Sequence, residues 1–333
     1  MTATPPPATP PPATPPPAPP LRIGLGLAAV GRPGYINLGR DTDLPAVRSP
    51  EALRERAFAL LDAAYDRGVR YFDAARSYGR AEEFLADWLK ARPGSADAVV
   101  GSKWGYTYTA DWRTDADVHE VKDHGITEYR RQLAETRALL GGRVGIYQIH
   151  SVTPQSPALG GTALHEELAG LAAEGVTVGL STSGPRQADT VRAALEVTVG
   201  GRPLFGSVQS TYNLLEPSVG EALAEAHADG RTVIVKEAMA NGRLAAPHLA
   251  PELEPVAEIA RETGTTSDAV AIAAVLARPW ADIVLSGAAT VDQLTANLRA
   301  ADLRLDAGRL ELLAGLAEPA PDYWARRSRL AWH

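Results

Sequence analysis

Eight short runs that read as β-strands recur along this chain, at 21–27, 69–73, 98–103, 144–150, 176–181, 205–210, 232–236 and 283–285. Between most of them apolar residues return at helical spacing. The first such segment opens at Ser49-Pro50-Glu51, an N-cap with proline at the first helical position. Leu53, Ala57, Leu60, Leu61, Ala64 and Tyr65 form its stripe, and Gly68 ends it. Strands alternating with helices favour a parallel sheet covered by helices, and the eightfold count favours a (β/α)8 TIM barrel.

Composition narrows the alternatives. A chain of 333 residues with 45% apolar content suffices for one large barrel or two ordinary domains. No run of eighteen apolar residues suggests a membrane span, and the N-terminus lacks the regions of a secretory signal. With no cysteine, disulfides and thiolate metal sites are excluded, in keeping with a cytoplasmic protein. A net charge of −7 without a basic block argues against nucleic acid as a partner. No metal site is expected, and the oligomeric state is left open.

Residues 1–20 repeat Thr-Pro-Pro-Pro-Ala without a charge and are expected to form a disordered tail, with the barrel over 21–333. The G-x-G-x-x-A run from Gly24 to Ala29 resembles a dinucleotide fingerprint, but Gly31, Pro33 and Gly34 bar the helix it needs. Residues 105–125 read as a loop. His119 and His124 lack the spacing of a zinc motif and are expected to be solvated there.

In a (β/α)8 barrel, catalytic groups stand at the C-terminal ends of the strands. Asp73, Lys103 and His150 end the second, third and fourth strands, and Tyr78 lies just beyond the second. Singly, each has an ordinary reading: a cap, a surface charge, a satisfied histidine, a ring packed at the rim. Together they permit proton transfer to a carbonyl. Lys103, held by Asp73, is expected to lower the pKa of Tyr78, while His150 orients the substrate oxygen. None of the four delivers hydride, so reduction requires a nicotinamide cofactor.

The runs Phe72-Asp73-Ala74-Ala75-Arg76-Ser77-Tyr78-Gly79, Ser102-Lys103-Trp104-Gly105 and Tyr147-Gln148-Ile149-His150 resemble, in order, the three tetrad motifs of the aldo-keto reductases. That resemblance implies a TIM barrel that reduces aldehydes or ketones with NADPH, less often NADH. It implies Tyr78 as general acid, Asp73 and Lys103 as its tuning pair, and His150 as the orienting residue. Toward the cofactor it implies Gly26, Ser181, Thr182, Gln209, Lys236, Met239, Gly242, Gly287, Thr290, Gln293 and Asn297. Thr182 stands where asparagine is usual, and Lys236 where a tyrosine often stacks on the nicotinamide. Ala289 replaces a common basic partner of the 2′-phosphate, so NADPH is expected to be favoured by a reduced margin, with Arg299 as a substitute cation.

Trp104 and Tyr106, with Tyr108 and Trp112, suggest an aromatic mouth for a small-molecule carbonyl or alcohol, or else loop packing. Tyr323, Trp324 and Trp332 either close the pocket or cover the barrel. Two other readings compete: a cofactor-binding regulatory barrel like the potassium-channel β subunits, and a barrel hydrolase or lyase that uses Asp73 without a cofactor.

Overall fold

A computed structural model describes residues 21–332, apart from 36, 37, 39–42, 45 and 248. The expected tail therefore lies outside the described residues. Eight parallel strands close a barrel: β1 Ile23–Gly26, β2 Tyr71–Asp73, β3 Val99–Trp104, β4 Val144–Val152, β5 Thr177–Thr182, β6 Ser207–Thr211, β7 Thr232–Lys236 and β8 Ile283–Ser286. They pair in chain order, and β1 completes the ring against β8 through Gly24 and Leu285. No helix among the described residues is long and apolar enough to cross a membrane.

Helix starts follow local chemistry. Ser49 caps the helix Pro50–Asp66 by accepting the Ala52 amide at 3.2 Å. Thr266 caps Ser267–Leu276, and Thr290 caps Val291–Leu298. Inside the barrel, Tyr71, Ile146, Ile234 and Leu285 form a separate apolar layer at the floor. Tyr71 fits because two neighbours carry no side chain. A Cβ on Gly101 would lie 2.1 Å from its hydroxyl, and one on Gly24 would lie 2.9 Å from its ring.

Two segments differ from expectation. Residues 105–125 contain an antiparallel hairpin, Tyr106–Tyr108 with Glu120–Lys122, whose short alternating strands are too brief to announce themselves in the sequence. At the other terminus, helices Ala307–Ala314 and Ala320–Arg327 follow the last barrel unit. Tyr323 and Trp324 join an apolar cluster with Leu214, Leu215 and Leu244, so these two aromatics cover the barrel.

Candidate active site

The pleat of a strand sends alternate residues inward, so two residues beyond the floor the same strands present polar groups. Asp73 follows Tyr71, Lys103 follows Gly101, and Lys236 follows Ile234. Register places Asp73 beside Gly101 and Lys103 beside Gln148. The Lys103 ammonium pairs with the Asp73 carboxylate, and both are buried. It also donates to the Ala74 carbonyl at 2.9 Å and reaches the Tyr78 hydroxyl at 3.4 Å. His150 stands edge-on to Tyr78, with ring centroids 5.5 Å apart, and its Nδ1 lies 3.4 Å from Ser77 Oγ. The four residues read from the strand ends thus meet around one point. Gln209 donates to Asp73 at 3.0 Å and to Gln148 at 3.2 Å.

Electrostatics correct one expectation. The Tyr78 phenol is pushed well above its ordinary pKa, first by burial and then by the Asp73 carboxylate. The expected net lowering does not result: burial and the Asp73 carboxylate, with which the Lys103 ammonium is already paired, outweigh what that ammonium contributes. The opposing cation is Arg32, which the sequence reading passed over; its guanidinium lies 5.4 Å from the Tyr78 ring centroid. Arg32 also donates to the Ser77 carbonyl at 2.7 Å and to Glu120 at 2.8 Å. His150 is held well below the ordinary histidine value, first by burial and then by repulsion from Lys103, Lys236 and Arg32. It is therefore neutral at physiological pH, with one ring nitrogen able to donate and the other to accept a hydrogen bond.

These residues open onto a cleft that runs from the strand ends to the wall formed by residues 286–289, Gln293 and Asn297. Asp73, Tyr78 and His150 line one part of it. Gly26, Gln209, Lys236, Met239, Gly242, Gly287, Gln293 and Asn297 also line it. Ser181, Thr182 and Thr290 lie outside the lining. The Ser181 hydroxyl accepts the Ser151 amide at 2.8 Å, and Thr182 bonds Gln187 at 3.0 Å and Ser210 at 2.7 Å. Thr290 accepts the Gln293 amide at 3.1 Å as a helix cap. Arg299 is exposed and does not face the cleft.

Trp104 does not form the mouth. It is fully buried and packs against Tyr129 at 5.1 Å and His124 at 6.0 Å. As the next residue after inward-facing Lys103, it points out of the barrel. Tyr106 does stand beside His150, with centroids 5.1 Å apart. His124 is buried and not solvated: its ring bonds the His150 carbonyl at 2.8 Å and Ser156 at 2.6 Å, holding the end of β4. His119 stacks on Trp332 at 4.3 Å, and Trp332 in turn lies 4.5 Å from the Arg32 guanidinium and lines the cleft.

Lys236 and Glu237 form a second charged group in the cleft. Burial lowers the Lys236 pKa to about 8, and its ammonium donates to Thr211 at 2.7 Å. Glu237 adopts a left-handed φ of 57°, and Arg327 binds its carboxylate. Despite its burial, the carboxyl is held at about 2 by Arg327 and Lys236. Arg327 comes from the C-terminal helix, about ninety positions along the chain, so no local motif announces the pair.

Comparisons with known proteins bear on the fold and the family. Residues 23–318 match the model of the aldo/keto reductase family. The D-threo-aldose 1-dehydrogenase of a Pseudomonas species is 28% identical over 296 residues, covering 79% of this chain and 88% of its own. The uncharacterized oxidoreductase YrpG of Bacillus subtilis is 24% identical over 308 residues, covering 84% and 89%. An aldo-keto reductase from Bacillus halodurans, solved in its holo form, shares the fold with a TM-score of 0.66 at 21% identity, covering 90% of this chain and 93% of that one. The barrel, the order of its strand-end motifs and the match over residues 23–318 lead to one conclusion: the chain belongs to the aldo/keto reductase family.

Proposed function

We propose that this protein interconverts a carbonyl compound and its alcohol, using a nicotinamide dinucleotide and the Tyr78 proton. The observation that carries the reading is the buried Lys103 ammonium, which touches both the Asp73 carboxylate and the Tyr78 hydroxyl at the base of the cleft. Gln209 supports the cofactor: its Oε1 is buried in the lining without a partner, an acceptor suited to the carboxamide N–H of a nicotinamide. When bound, the dinucleotide supplies or accepts the hydride.

The raised pKa of Tyr78 keeps its phenol protonated at neutral pH. A carbonyl oxygen that gains an electron pair becomes a strongly basic alkoxide and withdraws that proton. The resulting phenolate lies next to Lys103, whose ammonium offsets the new charge. Neutral His150 positions the same oxygen. In the oxidative direction these proton movements reverse.

A reducing cytosol suits a chain without cysteine. The name of the Pseudomonas relative supports including aldoses among the compounds tested. The experiment is a panel of aldehydes, ketones and aldoses with each nicotinamide dinucleotide, followed by its absorbance. Turnover of at least one compound is expected. Cofactor binding without turnover across the panel would favour a regulatory barrel.

A further inference from the structure

We infer that the cleft selects NAD(H) over NADP(H), and that Asp268 sets this choice; the inference rests on the dinucleotide reading above. Hydride and proton must reach adjacent atoms of one carbonyl, so the nicotinamide lies beside Tyr78. The remaining nucleotide then extends toward the wall built by the end of β8 and the helices Ser267–Leu276 and Val291–Leu298. NADP(H) carries a phosphate ester there, where NAD(H) carries a ribose hydroxyl.

Three cations line the cleft among the described residues, and all three are engaged near Tyr78 or Glu237. Arg32 donates to Glu120, Lys236 to Thr211, and Arg327 to Glu237. Among the described residues the far wall carries none. Gly287, Ala288 and Ala289 offer no side-chain donor, and the Gln293 carboxamide oxygen accepts the Ala289 amide at 2.8 Å. Asp268 places a carboxylate on this wall, and with the Asn297 amide oriented to satisfy both of its ends, Asn297 donates to it at 2.7 Å. Arg56 donates to the Ala289 carbonyl at 3.4 Å but does not line the cleft. A phosphate dianion would thus meet a carboxylate with no compensating cation among the described residues, whereas a hydroxyl can donate to it. Discrimination by a like charge is strong where water is partly excluded. This choice runs opposite to the sequence expectation of a residual NADPH preference.

The test titrates NADH and NADPH separately into the intact protein and reads dissociation constants from quenching of tryptophan fluorescence, without any turnover. NADH is expected to bind at least about tenfold more tightly, a gap of about 1.4 kcal/mol. Asp268→Asn should narrow the ratio chiefly by tightening NADPH, and Asp268→Asn with Ala289→Arg should invert it. Circular dichroism melts confirm that each variant is folded; should Asp268→Asn unfold, Ala289→Arg alone carries the test, and it must tighten NADPH more than NADH. Equal affinities, or tighter NADPH binding that Arg56→Met abolishes, would overturn the inference while leaving the dinucleotide reading intact. A protein that binds neither cofactor would overturn both.

Discussion

Two layers of the same barrel, separated by one pleat, behave as different materials. The floor is Tyr71, Ile146, Ile234 and Leu285, an apolar plug whose one polar side-chain atom, the Tyr71 hydroxyl, lies 3.3 Å from Asp73. The layer above holds Asp73, Lys103, Gln148, Gln209 and Lys236, most of them fully buried and joined by hydrogen bonds. Burying apolar surface stabilises the fold, whereas burying ionised groups costs free energy that pairing only partly recovers. The floor therefore carries stability, while the upper layer gathers the groups on which the proposed chemistry rests, and the comparison turns into separable measurements.

The largest expected effect is on turnover. Tyr78→Phe removes one hydroxyl and leaves Lys103 its contacts with Asp73 and Ala74. Carbonyl reduction should fall about 10²–10⁴-fold while cofactor affinity and melting temperature barely move. Steady-state kinetics with cofactor titration checks this, and retained turnover would remove Tyr78 from its role as acid.

Next comes the floor. Ile234 is fully buried, and Ile234→Ala should cost about 2–5 kcal/mol in denaturant unfolding. Turnover per folded molecule should stay near wild type. A variant that is stable but inactive would show that the two layers are not separable.

Lys236 tests the cost of charge in the upper layer. Its folded pKa of about 8 lies below the ordinary 10.5, so the buried ammonium opposes folding in full below pH 8. As pH rises from 8 to 10.5 the folded state releases the proton first, and stability increases. Lys236→Met should therefore be more stable than wild type at neutral pH, on the order of 1–3 kcal/mol. That advantage should shrink between pH 8 and 10.5 in urea titrations run across this range. A gap independent of pH would mean that packing, not charge, accounts for it.

The smallest effect is expected from the N-terminus, which belongs to neither layer by composition. Residues 1–20 carry no charge and are dominated by proline, alanine and threonine. Their deletion should leave kcat/KM and melting temperature unchanged, and a lower melting temperature would show a contribution to the barrel.

The sequence by itself determined the barrel and the four residues at its mouth. A period of two within strands and of 3.6 within helices is written in neighbouring residues, and strand-end position follows from it. Asp73, Lys103 and His150 were legible because each sits at such an end, and Tyr78 because it follows one closely. Trp104 was misjudged because its motif gives its identity, while the pleat that turns it outward depends on where Lys103 points. Only the tertiary structure decided the sign of the Tyr78 shift, the burial of His124, and the presence of Arg32, Arg327 and Asp268 along one cleft. Those properties are sums of desolvation and charge over elements far apart in the chain. A buried group's field is set by whatever the fold brings within a few ångströms, and no local pattern records that company.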